Sequence, residues 1–479
     1  MPRFVGFIGP SYEASSVNYE NQRTVNLYPE RGELGTGKER EIAALVSTPG
    51  LLKLATMGAG PVRGLYYSSK GRTFAVSGAG VYEVTTPTSP TLLATLTTSS
   101  GRVGMTDNGV DLVLVDGAKG YHFTFATSTW AEITDPEFPP GANVAQFLDQ
   151  YIIVNEPGTG RFWFSAISDA TDWNGLDFGS AEGAPDNLLT LLVDHRELWL
   201  FGDRTIEVFF NSGDADNPLQ RMQGAFLEEG AIAGTVAKID NTLFYVALND
   251  KGQGIVKRVQ GNVPQRVSTH ALEFAIAGYG DISAATAYTY QHRGHSFYVL
   301  NFPGADRTWV FDAAIGLWHE RTYTPSDGSG MQRHRAECHV FDGTRHLVGD
   351  YANGNLYQFD DETYTDDGAP ITWMRRAPHI SNEGRRLTIH SVQLELESGV
   401  GLASGNGSDP QMMLRVSKDG GHTWGNERTA PMGKIGEYKR RAIWRRLGEA
   451  RDWVFEVKST APVKQVWISA YLETEGAAH

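Results

Sequence analysis

The stretch HRELWLFGDRTIEVFF, His195 to Phe210, decides the fold. A polar pair opens it, an aromatic and aliphatic run follows, a Gly-Asp turn reverses the chain, and a β-branched and aromatic run returns. Runs of that kind between turn residues read as a strand hairpin. The same shape recurs outward in both directions. Before it stand GRTFAVSGAGVYEVT from Gly71, VDLVLVDGAKGYHFTF from Val110 and DQYIIVNEPGTGRFWFS from Asp149. After it stand DNTLFYVALNDKGQGIVKRV from Asp240, GHSFYVLNFPGADRTWVFD from Gly294 and GTRHLVGDYANGNLYQFD from Gly343. The copies advance by about 40 residues early and about 50 later, the period of propeller blades. A single hairpin covers one face only, and radial stacking of such units covers both.

The expectation is therefore an all-β chain built on a six- or seven-bladed β-propeller over residues 61–366, with a C-terminal β-sandwich-like domain over 367–479. Residues 1–60 are expected as an irregular, partly stranded segment packing on the propeller. No WD dipeptide repeats, though TWVFDAAIGLWHE (Thr308 to Glu320) looks kelch-like. A β-sandwich or a pair of barrels is the alternative that equally regular strands permit. From Arg375 the pattern lengthens into alternating strands, as in RRLTIHSVQLELESGV and KQVWISAYLE, which suits a sandwich. The acidic DDETYTDDGAP, Asp360 to Pro370, is the expected linker.

Composition agrees with many short strands. The 479 residues include 54 glycines, 19 tyrosines and 22 phenylalanines, and 41% are hydrophobic against 20% charged. The formal net charge is −14, which argues against wrapping nucleic acid by phosphate neutralisation. It leaves open a passage whose walls repel DNA. Cys338 is the single cysteine, so no intrachain disulfide forms and assembly in a reducing cytoplasm fits. Neither a signal segment nor a run of roughly 20 apolar residues is visible.

Several constellations invite a chemical reading. Ser417, Asp419, Gly421, Thr423 and Trp424 in SKDGGHTW spell the Asp box of sialidases. That motif staples a hairpin through Asp and Ser side chains, and one copy outside the repeats points to structure rather than to a glycosidase. A retaining sialidase needs a Tyr nucleophile, a paired carboxylate and an Arg cluster, and nothing selects such a set. His334, Cys338 and His339 lack a second ligand pair at zinc spacing, and His292 and His295 flank a hairpin turn. Asp214, Asp216 and Asn217 lack the 12-residue calcium pattern. Lys439, Arg440, Arg441, Arg445 and Arg446 form a basic run around Ile443 and Trp444. It reads either as a solvated strand face or as a contact site for an acidic neighbour or for DNA phosphates. There is no Walker loop, GxSxG elbow or HExxH, so no catalytic residue, cofactor or metal is expected.

The order of several segments resembles the packaged-DNA stabilization proteins, the tail hub or nozzle family of short-tailed bacteriophages. KDGGHTWGNER (Lys418 to Arg428) and GEYKRRAIWRRLGEARDWVFEVKSTAPVK (Gly436 to Lys464) carry most of the resemblance. RTIEVFFNSG from Arg204, EEGAIAGTVAKIDNTLFYV from Glu228 and STPGLLKL from Ser47 add to it. The near-perfect Asp box departs from the family. The resemblance implies a homo-oligomer, a hexameric ring beneath the portal and its adaptor ring. That ring extends the DNA channel, helps retain packaged DNA and holds a tail needle and tailspikes or fibres. It implies a virion protein made in the host cytoplasm, not inserted in a membrane, with DNA passing through the lumen without sequence-specific binding; the net charge of −14 adds the expectation that this lumen is acidic. A sialidase-like enzyme, a lyase or a glycan-binding propeller is the competing reading.

Overall fold

The computed structural model describes residues 2–32, 43–214, 217–248 and 252–476. Among the described residues the protein is all-β apart from short helical turns and one helix, His270–Ala277, capped by the Thr269 hydroxyl.

The N-terminal β-rich part is a series of antiparallel sheets in up-and-down order. Sheet 1 runs Val62–Tyr67, Thr73–Ser77, Gly80–Glu83, Thr91–Thr95. Sheet 2 begins at Gly104–Asp107, sheet 3 at Ala145–Leu148 and sheet 4 at Leu188–Asp194. Sheet 5 spans Gly230–Ala231 to Val263–Arg266, and sheet 6 runs from Thr286–His292 to Leu317–Tyr323. Sheet 7 holds Ala336–Phe341, His346–Asp350 and Asn355–Asp360. Its fourth strand is Gly50–Thr56, from the far end of the chain.

The quoted repeats prove to be turn, second strand and third strand of these sheets. Asp149-Gln150, His195-Arg196, Asp240-Asn241 and Arg293-Gly294 each hold two successive positive φ angles. That is the two-residue hairpin turn whose twist matches the strands it joins.

First strands of neighbouring sheets touch in sequence from sheet 1 to sheet 4, then through the turn Ala233–Thr235 and Ala237–Ile239 of sheet 5 to sheets 6 and 7. Ala336–Phe341 of sheet 7 also touches Val62–Tyr67 of sheet 1. At Gly104 a Cβ would stand 2.7 Å from the Ala145 backbone nitrogen. Inner strands approach there too closely for any side chain. Aromatic and β-branched residues fill the spaces between sheets, with Phe162 against Phe209 and Phe244 stacked on Tyr298.

The C-terminal part is a β-sandwich. One layer is Leu27–Arg31, Ala43–Ser47, Val466–Gly476, Leu387–Leu396 and Ala442–Ala450, in that order. The other runs Asn21–Val25, Trp373–Arg376, Asp452–Ser459, Gln411–Ser417, Arg428–Pro431, and continues sheet 6 through a parallel pairing of Val25 with Glu320. Phe4, Phe7, Trp373, Trp444, Trp453, Phe455 and Trp467 make up much of the core between the layers. Strands from the first 60 residues thus enter both sandwich layers and sheet 7.

The junction of the two parts is stitched by buried charge. Arg375 is fully buried and donates to the carbonyls of Gly6, Phe7 and Pro10 at 2.6–2.9 Å. Arg23 grips Glu320 with two hydrogen bonds, of 2.9 and 2.6 Å. Asn26, at φ 55°, donates to Thr322 and Thr372 and accepts from the Thr322 nitrogen. Backbone groups that two sheet systems leave unpaired are satisfied in this way.

Candidate functional site

The first strands line one cavity of about 570 Å³, with residues from all seven sheets. This is where a propeller enzyme would gather its chemistry. Several of its polar groups are engaged by protein partners. Glu337 accepts from Thr286 at 2.8 Å and from Arg333 at 2.6 Å. The Cys338 thiol is pushed up to about 12 by burial, so it holds its proton and is a poor nucleophile. Arg102 lines the cavity with its side chain exposed, and desolvation by the surrounding walls lowers its pKa. Its guanidinium donates to the Ala233 carbonyl at 3.3 Å.

The carboxyl with the largest upward displacement lies elsewhere. Asp366 is buried in the junction, and desolvation raises it to about 7 against the opposing pull of Arg321. Arg321 is itself buried, bonded to the Tyr290 hydroxyl and packed over the Tyr290 and Phe359 rings. Two residues along the same strand, His319 is buried with no protein partner for either ring nitrogen. Burial and the Arg321 charge lower its pKa well below the usual histidine value. Sequence reading missed this group, because its members come from four separated strands and form no motif.

The Asp box folds as a stapled turn after Gln411–Ser417. Gly421 nitrogen donates to Ser417 Oγ at 2.8 Å, and Thr423 donates to Asp419 through its nitrogen at 2.9 Å and its hydroxyl at 2.6 Å. These bonds, Thr423 foremost, hold the Asp419 carboxyl down to about 2. Trp424 lies against two guanidinium groups, Arg376 at 5.1 Å and Arg415 at 5.3 Å, which also bond Glu456.

The other histidine readings resolve into pairs. His339 Nε2 meets His346 Nδ1 at 3.0 Å, His292 faces Asp361 at 3.0 Å, and His295 bonds Asp312 at 2.6 Å. His334 is buried and Cys338 faces the cavity. Among the described residues no group of three or more potential ligands could hold a metal ion. In the acidic turn, Asp214 accepts from the Asn217 nitrogen, while Asp216 lies outside the described residues.

The basic run occupies the loop before Ala442–Ala450 and that strand itself. Lys439, Arg440, Arg441, Arg445 and Arg446 are all exposed, and among the described residues none of them is in an ion pair. Arg446 sits at φ 59°, where the strand bulges against Leu387–Leu396. Beside the run, Tyr438 is 75% and Ile435 63% exposed. Tyr438 entered the sequence reading only as part of the family-like segment, since no alternation signal there marks either residue as exposed.

Together these features define a class: an all-β protein with a β-rich N-terminal part and a C-terminal sandwich, whose ionisable groups serve packing and surface charge. The chain matches the family described as bacteriophage P22 Gp10, beta-propeller, over residues 7–364, and that described as bacteriophage P22 Gp10, beta-sandwich, over residues 372–475. It belongs to the P22 Gp10 family, the packaged-DNA stabilization and tail-hub proteins of short-tailed phages, which are structural virion proteins and not enzymes. None of the curated proteins matches the chain significantly.

Among solved structures, an extracellular domain of a putative one-component system from B. thetaiotaomicron is similar at 8% identity and a TM-score of 0.44, over 86% of this chain and 58% of that one. The Pan2 WD40 domain of Neurospora crassa is similar at 9% identity and a TM-score of 0.43, over 65% of this chain and 96% of that one. At that overlap neither likeness adds to the family assignment. No helix among the described residues is long and apolar enough to cross a membrane.

Proposed function

We propose that the protein is one subunit of a six-fold ring in the phage tail, below the portal and its adaptor. There it extends the DNA channel, helps retain packaged DNA and anchors the tail needle and tailspikes or fibres. The observation that carries the reading is the pair of family matches, consecutive and in order along nearly the whole chain. The subunit is made in the host cytoplasm, which suits a chain whose one cysteine is unpaired.

Within the subunit, residues 61–366 act as a seven-bladed propeller completed by the strand Gly50–Thr56. The run of contacts between first strands, from sheet 1 round to sheet 7 and from sheet 7 to sheet 1, supports this. So does the single cavity that all seven sheets line. Borrowing an outer strand from the other end of the chain is how such a ring avoids a free seam. Residues 367–479, with the strands contributed by the first 60, form the second rigid body. The Asp-box turn acts as a structural staple within it.

We read the ring lumen as acidic, which the net charge of −14 supports, so that DNA slides along it without sticking. Particles assembled without this protein are expected to fill with DNA and then lose it. Particles that lack it yet keep their DNA and carry complete tails would overturn the reading.

A further inference from the structure

The loop around Tyr438 is held as a rigid, exposed platform. Ser398 Oγ donates to the Tyr438 carbonyl at 2.8 Å, Gly436 nitrogen to the Gly399 carbonyl at 3.2 Å, and Arg440 nitrogen to the Glu437 carbonyl at 3.2 Å. Held in this way, Tyr438, with its ring beside Gly399, and Ile435 stay largely exposed, and the exposed Lys439, Arg440 and Arg441 follow in the chain. An exposed aromatic and an aliphatic on an ordered backbone, followed by two exposed Arg residues outside any ion pair, fit an interface patch better than a solvated face. Charged edge strands guard against stray pairing, but that purpose does not call for an exposed Tyr and Ile.

Topology says where this platform stands. The strand Ala442–Ala450 ends its sheet, with Arg428–Pro431 of the other layer against it, and Leu27–Arg31, at the other edge, touches sheet 6. At about 4.8 Å per strand, the platform projects well away from the junction. The junction itself lies at sheets 6 and 7. Half-way round a seven-membered ring from it stands sheet 3.

The outermost strand of sheet 3, Trp173–Ser180, pairs on one side only. It displays Leu176, 82% exposed, beside Asp172, Asp177 and Glu137. Asp177 is raised by burial and by the Asp172 charge, which fits two carboxylates crowded without a counter-ion. One side of the molecule thus offers an apolar centre with positive charge, and the far side an apolar centre with negative charge. A closed ring with head-to-tail contacts needs two distinct complementary patches on roughly opposite sides of each subunit.

We propose that the Tyr438 platform docks on the Trp173–Ser180 edge of the next copy of this chain, so that Arg440 and Arg441 meet Glu137 and Asp172. This assignment rests on the ring reading above. Its test uses charge exchange in the full-length protein, followed by sedimentation velocity and native mass spectrometry across a concentration series, with and without the adaptor protein. All four residues are exposed, and unchanged thermal unfolding of each variant shows that the fold is kept.

Wild type is expected to form rings. R440E/R441E and E137K/D172K, each alone, are expected to need roughly tenfold higher concentration or to stay monomeric. Mixed in equal amounts, they are expected to restore a ring of alternating variants, because each reversed patch then meets its reversed partner. Variants that form rings as wild type does would overturn the docking and leave the ring reading standing. Rings unchanged by R440E/R441E, with weakened retention of duplex DNA, would overturn it in favour of a phosphate-contact surface. A wild type that never associates under any condition would overturn the ring reading itself.

Discussion

Arg375 carries a full charge into the sandwich core and satisfies it on three main-chain carbonyls of the N-terminal arm. Burial still lowers its pKa to about 9. Replacing it by Met strands those carbonyls and frees the arm, and is expected to cost about 3 kcal/mol or more in urea unfolding. The histidines set a pH dependence. His319, His334 and His339 are held neutral by burial, His339 down to about 3. Unfolded, they titrate near 6.5, so their contribution is complete above that pH and is lost as pH falls toward the folded values.

Asp366 has the opposite sign. Its pKa rises from 3.8 to about 7 in the fold, so its contribution is present below 3.8 and lost as pH rises through 7. Asp366→Asn is therefore expected to be more stable than wild type above pH 7, on the order of 2 kcal/mol, with the advantage gone by pH 4. Thermal melts of the two proteins from pH 4 to 8 check this. An advantage that grows on acidification would contradict it. His334 and His339 stood out in the sequence only as a candidate metal cluster, and Arg375, His319 and Asp366 not at all, because burial and electrostatic surroundings come from strands far apart in the chain.

Among the elements, the middle hairpins were the legible part. His195 to Phe210 reads as two strands and a turn because apolar density, aromatic content and turn residues agree within sixteen positions. The strand Gly50–Thr56 was not legible as part of sheet 7, since its partner Asn355–Asp360 lies about 300 residues away and pairing leaves no local mark. Asn21–Val25 lies in the strand-like stretch NQRTVNLYPE, but its place as the bridge between sheet 6 and the sandwich left no mark for the same reason. The helix His270–Ala277 is too short for periodicity to reveal it among strands.

Two predictions belong to this scale. Leu51 is buried in the strand that completes sheet 7, so Leu51→Asp is expected to cost 3 kcal/mol or more and to expose sheet 7 to proteolysis first. Asp419→Ala removes the bonds that staple the Asp-box turn and is expected to cost about 1 kcal/mol, with no change in assembly. Limited proteolysis and denaturant melts separate the two outcomes.

For the whole molecule, the family assignment and the all-β architecture were both within reach of the sequence. The repeat carries the architecture, and the order of segments from Ser47 to Lys464 carries the family. What the sequence did not offer was the intertwining of the two parts. The first 60 residues thread both sandwich layers and sheet 7, so neither part is a bead on a string. A subunit stitched in this way is suited to hold its propeller-like body and its sandwich together in the ring proposed above.

The most direct measurement is a cryo-EM map of the intact particle at a resolution that traces strands. The account predicts six copies around the tail axis below the adaptor, with DNA density through the centre and the Ala442–Ala450 edge against the neighbouring copy. Density for this chain off the tail axis, or as isolated single copies, would contradict it.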